Sequence, residues 1–298
     1  MSDDGGPLVP LASRTATLDP ALERRLPNVI IVGVMKCGTT SLHYYLGLHP
    51  QISMSREKEI EFFIEERNWS RGPAWYAAQF DASADVRGEA SPNYAAARRF
   101  PGVPARMHAI VPAVKIIFMV RDPIERLISH WVHNFSHGRE QRELADILHD
   151  DRYLERSMYA TQLRPYLDVF PREQILILEM EELGARRVDT LRHVFRYLGV
   201  DASFDSSRFR LERHRTERKR RKNRAGRWLA STRFAQWVES MPQSVRWPAR
   251  DLMYLLFSRR MARPSIAARD RAILIERLTP DMTEFRELTG RRFSGWSF

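Results

Sequence analysis

Gly33-Val34-Met35-Lys36-Cys37-Gly38-Thr39-Thr40-Ser41 follows the apolar run Val29-Ile30-Ile31-Val32. It leads into Leu42-His43-Tyr44-Tyr45-Leu46, whose apolar spacing is helical. A strand, a glycine loop and a helix start, in that order, make an anion cradle. The loop's backbone N–H groups and the positive end of the helix dipole converge on one point. The Walker A frame is G-x-x-x-x-G-K-[ST]. Gly33 and Gly38 keep its spacing and Thr40 its hydroxyl, but Thr39 stands where the lysine belongs and the cation moves to Lys36. That displacement argues against an ordinary nucleotide triphosphatase.

A second element lies at residues 115–131. The apolar strand Ile116 to Val120 ends at Arg121, and Asp122-Pro123 opens a helix as N-cap and first turn. Arg121 at the strand's end and Ser129 about two turns into the helix can grip one phosphate from two sides, fork and hydroxyl together.

The two elements resemble the phosphosulfate-binding loop and the 3′-phosphate element, Arg-Asp-Pro-x-x-Arg-x-x-Ser, of sulfotransferases that use 3′-phosphoadenosine 5′-phosphosulfate (PAPS). The resemblance spans about residues 27–200 and is nearest the heparan-sulfate-type and bacterial sulfotransferase-domain proteins. It implies PAPS as cofactor and 3′,5′-ADP as product. Lys36, Cys37, Gly38, Thr39, Thr40 and Ser41 would surround the phosphosulfate, with Arg121 and Ser129 on the 3′-phosphate. Lys36 would be the electrostatic catalyst. PAPS has a single phosphate on its leaving side, so a lysine and loop amides can neutralise it, and no metal is expected.

Glu57-Lys58-Glu59-Ile60-Glu61-Phe62-Phe63 resembles the family's Glu-[Ile/Val]-x-Phe-Phe element, which makes Glu59 the implied general base. An extended segment would put Glu59 and Glu61 on one face. The aromatic pair beside Glu59 would partly desolvate it and raise its basicity. His43 and His49 are rival bases, each read as a structural side chain. Glu89-Ala90-Ser91-Pro92-Asn93-Tyr94 resembles Glu-Lys-[Ser/Thr]-Pro-x-Tyr beside the acceptor. Ala90 replaces that lysine, which counts against a polyanionic glycan acceptor. Phe62, Phe63, Tyr94 and Tyr159 are the implied acceptor contacts.

Residues 213–224 hold eight basic side chains and one glutamate. Alone, such a run reads as a solvated face or a nucleic-acid patch. In the resembled family a basic loop near this point closes over the nucleotide, and Arg218, Arg221 and Arg224 are the implied contacts. The tail Leu288 to Trp296 resembles the end of bacterial relatives, where a tryptophan docks the terminus.

Short apolar runs alternating with amphipathic stretches predict an α/β fold, a P-loop-like central parallel sheet flanked by helices in a single domain. Residues 1–26 read as an arm and 27–298 as the domain, with the part from about 205 helical. Strands are expected at Val29–Val34, Val86–Glu89, Lys115–Val120 and Gln174–Leu178. Helices are expected at Thr40–Leu48, Ala74–Phe80, Ile124–His137, Met158–Val169, Arg187–Leu198 and within Trp228–Leu278. The formal charge of +11 suits an anionic cofactor. The one cysteine excludes an intramolecular disulfide and fits a reducing compartment. Without an apolar leader, a bacterial cytoplasmic enzyme is expected. The acceptor would be a hydroxyl of a small molecule, lipid or glycan, with no nucleic acid as partner. A nucleotide kinase and a non-enzymatic binder of acidic partners through 213–224 are the competing readings.

Overall fold

Strand β1 (Val29–Gly33) is buried at every position and β4 (Lys115–Val120) at all but its first, so each reads as an unbroken apolar run. They are the centre of a five-stranded sheet in the computed structural model, which describes residues 19–211, 220–222, 258–260 and 264–298. The other strands are β2 (Ile52–Met54), β3 (Val86–Ala90) and β5 (Ile175–Glu179), in the order β2-β3-β1-β4-β5. Every pairing within this sheet is parallel. β2 is a three-residue edge with one buried side chain, too short to leave an apolar signature.

The helices are α1 (Pro20–Glu23), α2 (Thr39–Leu46), α3 (Gly72–Ala77), α4 (Val103–Ile110), α5 (Pro123–Ser136), α6 (Asp151–Leu154), α7 (Tyr159–Leu167), α8 (Met180–Ala185), α9 (Arg187–Leu198) and α10 (Ala268–Thr289). α1, α4, α6 and α8 are not among the helices expected from the pattern. α4 starts after a left-handed Gly102 with Pro104 in its first turn, which reads as a loop.

The chain leaves β1 toward β3 and β2, then crosses to β4 and β5 on the other side. β1 and β4 are thus the switch point, where crevices open at the carboxyl ends of parallel strands. Their register runs to Gly33 opposite Met119. A Cβ at Gly33 would stand 2.7 Å from the Met119 backbone nitrogen, so only glycine lets the strands approach there. Both anion elements of the sequence start at this crevice.

Three expectations need correction. The arm does not extend to residue 26: α1 packs on α3, Leu26 is buried, and its carbonyl accepts from Arg87 Nε at 3.0 Å. An apolar residue beside a short Pro-started turn has core to bury, whatever its position in the chain. The part beyond 205 is not uniformly helical: Arg220–Lys222 and Ser258–Arg260 pair as antiparallel strands, β6 and β7. A pairing between distant segments leaves no local period. Finally, α10 does not stop at Leu278 but continues through Pro280 to Thr289. The rest of the predicted 228–278 helical stretch lies outside the described residues.

α10 closes the fold on the site's side. Asp281 accepts from the backbone N–H groups of Ala160 (3.0 Å) and Thr161 (2.9 Å), capping α7, which lacks a local side-chain cap. Phe293 stacks on Phe285 and Trp296, and Trp296 is buried as the resemblance implied. The Ser297 N–H reaches Asp122 Oδ2 at 2.6 Å, while Asp122 Oδ1 caps α5 through Ile124 and Glu125. The tail is therefore tied to the turn that follows Arg121. Among the described residues, no helix is long and apolar enough to cross a membrane.

Candidate active site

The loop after β1 is held at both ends. Val34 N–H donates to Met119 O at 3.1 Å, extending the β1–β4 ladder, and Cys37 N–H turns back to Val34 O at 3.0 Å. Lys36 takes a left-handed φ of +78° and Gly38 one of +88° as the N-cap of α2. Among the described residues no side chain caps that helix end, which is the arrangement that accepts an anion. Thr39 is buried and Thr40 exposed, so the position of a Walker lysine points inward. Cys37 is sealed in the core, where burial pushes its thiol up to about 12.

Across the crevice, Arg121 leaves the end of β4 and Ser129 lies buried on α5. The Arg121 guanidinium pairs with Glu125 at 3.5 Å. Tyr159 ties the two sides together: its hydroxyl donates to Arg121 O at 2.6 Å and lies 3.9 Å from Cys37 Sγ. This residue is fully buried, against the reading that it lines an acceptor cleft. Tyr159→Phe should lower unfolding stability by about 1–3 kcal/mol, because it leaves the half-buried Arg121 carbonyl without its hydroxyl donor. Urea denaturation checks this, and an unchanged midpoint would count against the tie.

The same correction applies to Phe62, Phe63 and Tyr94. Phe62 stacks on Tyr76 at 4.2 Å, Phe63 meets Phe62 edge-on, and all three side chains are fully buried. Tyr94, Tyr76 and Ser91 hydroxyls converge on Glu89, a wholly buried carboxylate. Aromatic rings and a satisfied carboxylate make core here, because nothing polar remains to meet a ligand. Burial raises the Glu89 pKa, and the three hydroxyl donors work against that rise.

The base loop also differs from expectation. Glu59 (φ +66°) and Glu61 (φ +53°) are left-handed, so the segment is not extended and the two do not share a face. Glu59 is half exposed and pairs with Lys58 at 2.7 Å, so the aromatic pair does not desolvate it. Its N–H donates to Ala90 O at 3.0 Å, fixing the loop beside the end of β3. Glu61 is buried and holds Arg67 and the Asn93 amide. Among the described residues, three of the four non-glycine positive φ angles fall at Lys36, Glu59 and Glu61. Such conformations gather at functional sites, where the surrounding structure holds the strain.

The rival histidines part company. His49 Nδ1 accepts from Gln51 N–H, so its Nε2 carries the proton and meets Asp201 O at 3.0 Å. It has no free lone pair. His43 lies inside α2, where burial and then Lys58 push it down to about 4, a weak base at neutral pH. His133 near the end of α5 and His137, its C-cap, stand four residues apart with rings 4.5 Å apart. Among the described residues no third group joins them to hold a metal ion.

Arg126, the second arginine of the Arg-Asp-Pro-x-x-Arg-x-x-Ser element, converges here with His130 and Arg156, which carried no signal in the sequence pattern. Arg126 is fully buried and donates to Ser157 Oγ (2.7 Å) and Tyr153 O (2.5 Å), with Nη1 at 3.4 Å from His130 Nδ1. Arg156 donates to Asn93 Oδ1 at 3.2 Å. Burial first, then Arg126, Arg156, His133 and Lys36, push His130 down to about 2. Of the basic run, Arg221 lies in β6, opposite Arg259, and β6 runs against α5. Arg218 and Arg224 lie outside the described residues.

The family model for the sulfotransferase domain matches residues 26–240. The chain belongs to that family. The sulfotransferase domain is 32% identical over 200 residues to the human bifunctional heparan sulfate N-deacetylase/N-sulfotransferase 2, covering 59% of this chain and 22% of that protein. It is 30% identical to the mouse heparan sulfate glucosamine 3-O-sulfotransferase 3A1, covering 59% of this chain and 47% of that protein. The chain thus spans about a fifth to a half of these relatives' length. Among solved structures, a sulfotransferase from Alicyclobacillus acidocaldarius superposes with a TM-score of 0.66 at 26% identity, over 91% of this chain and 99% of that one.

Proposed function

We propose that the chain is a PAPS-dependent O-sulfotransferase that transfers a sulfuryl group to a hydroxyl of a glycan, lipid or small molecule, without a metal, in the cytoplasm. The observation that carries this reading is the pairing of β1 with β4 in a register that ends at Gly33 and Met119. It sets the Lys36 loop and the Arg121–Ser129 element on the two sides of one crevice.

The residues fit the cofactor. An uncapped α2 terminus, a cation displaced to Lys36 and an inward Thr39 favour a phosphosulfate over a triphosphate. When bound, the cofactor supplies the sulfuryl group and a phosphate leaving group. Lys36, with the first amides of α2, neutralises charge on the bridging side. Arg121 and Ser129 hold the 3′-phosphate, and Arg121 must then share its guanidinium with Glu125 or leave it. Glu59, exposed beside Lys58, takes the proton from the acceptor hydroxyl. Arg218, Arg221 and Arg224 would add charge over the nucleotide.

If Arg121 and Ser129 read the 3′-phosphate, 3′,5′-ADP should bind about 10²-fold or more tightly than 5′-AMP, from two or three charge-assisted hydrogen bonds. Arg121→Ala should shrink that gap in calorimetric titration. Equal affinities for the two nucleotides would remove the assignment.

A further inference from the structure

Arg156 is 9% exposed, yet among the described residues it makes one hydrogen bond, from Nη1 to Asn93 Oδ1. Its Nε and Nη2 have no hydrogen-bond partner there. Among the described residues, no carboxylate pairs with Arg156 or with the neighbouring Arg126. Glu155, the acid that acts on Arg156, is engaged by Arg98 at 3.1 Å. Glu61 reaches it only through Asn93. A buried guanidinium is normally matched by an acid or by a full set of acceptors, because leaving its donors dry is costly.

The position of Arg156 is built rather than incidental. Ser157 Oγ accepts from Arg126 Nε at 2.7 Å and donates to Pro123 O at 2.8 Å, which locks residues 155–157 against α5. His130, 3.4 Å from Arg126 Nη1, is within the electrostatic reach of Arg126, Arg156 and Lys36. It stays neutral at every physiological pH, so it adds no competing charge. Burial pushes Arg156 itself down to about 10, which leaves it cationic at pH 7. Asn93 belongs to the Ser91–Tyr94 segment beside the Glu59 loop, since Ser91 Oγ accepts from Glu61 N–H at 3.1 Å.

We propose that Arg156, seated by Asn93 and the Arg126–Ser157 clasp, is an anion site on the acceptor side of the crevice, and that it takes a carboxylate or sulfate group carried by the acceptor. The proposal rests on the sulfotransferase reading and narrows it: the acceptor is an anionic hydroxyl compound. It also reverses the inference drawn from Ala90, because Arg156 supplies the positive group that Ala90 lacks.

The test uses the full chain loaded with 3′,5′-ADP, so that the nucleotide's own anion sites are filled. Sodium sulfate is titrated against sodium chloride at matched ionic strength, with binding read by calorimetry. A uronate disaccharide and its carboxyl-reduced form follow. Wild type should bind sulfate saturably and prefer the uronate form, which should displace sulfate. Arg156→Gln should weaken both by about 10-fold or more, the loss of one or two charge-assisted bonds. 3′,5′-ADP affinity should not change. Arg156→Lys, which keeps the charge but loses the fork, should fall between and serves if the glutamine variant does not fold. Sulfate affinity equal in wild type and variant overturns the site. Binding of inorganic sulfate with no preference for the uronate form overturns its assignment to the acceptor. Failure of 3′,5′-ADP to bind better than 5′-AMP is a separate result and strikes the cofactor reading instead.

Discussion

Glu59→Gln is expected to leave 3′,5′-ADP affinity nearly unchanged and to lower turnover by about 10²–10⁴-fold, the range for a positioned general base. Glutamine keeps the shape, and the backbone tie from Glu59 N–H to Ala90 O is untouched, so the left-handed loop should hold. What disappears is the carboxylate's ability to accept a proton. The structure changes which control is informative. Glu61 is buried against Arg67 and Asn93, so Glu61→Gln disturbs the loop and is not a quiet variant. Glu57 is exposed and engages Ser55 only through its backbone carbonyl, so Glu57→Gln should be silent. Steady-state rates together with nucleotide titration decide the matter. Retention of most activity by Glu59→Gln, with loss in His43→Ala, would transfer the base to His43.

Lys36→Ala is expected to reduce turnover by about 10²–10³-fold, the usual loss for one preorganised charge donor. Alanine is an L-residue like lysine, so it meets the same left-handed strain at φ +78° and the comparison isolates the charge. EDTA should leave the wild-type rate intact, since the proposed neutralisation comes from lysine and backbone amides. Abolition of turnover by chelation would favour a metal-dependent phosphotransferase. A rate loss confined to low PAPS concentration would make Lys36 a binding residue only.

The central strands, α2, α5 and α9 were legible because burial on one or both faces writes itself into apolar spacing. The crevice was legible too, since a glycine loop and an Arg-Asp-Pro turn each follow a strand. The acceptor side was not. Phe62, Phe63, Tyr94 and Tyr159 were implied as contacts by the family resemblance, but packing, which sequence order does not reveal, put them in the core. Glu59 and Glu61 looked extended because nothing in Lys58-Glu59-Ile60-Glu61 announces a left-handed backbone. Arg156 carried no signal: its meaning comes from Asn93 and Arg126, which lie far from it or across a helix.

The register that seats Gly33 against Met119 has a kinetic side as well. The Lys36 loop and the Arg121 turn come from distant parts of the chain and meet only when β1 and β4 have paired, after a crossover that first builds β2, β3 and their helices. Such non-local parallel pairings form late and slowly. At that moment Lys36, Arg121, Arg126 and Arg156 are drawn together, and their mutual repulsion opposes the last step of closure. Anything anionic that enters the crevice then acts as a folding ligand, deepening the native well by mass action. Amide exchange at the carboxyl ends of β1 and β4 would be the part of the sheet most slowed by its presence.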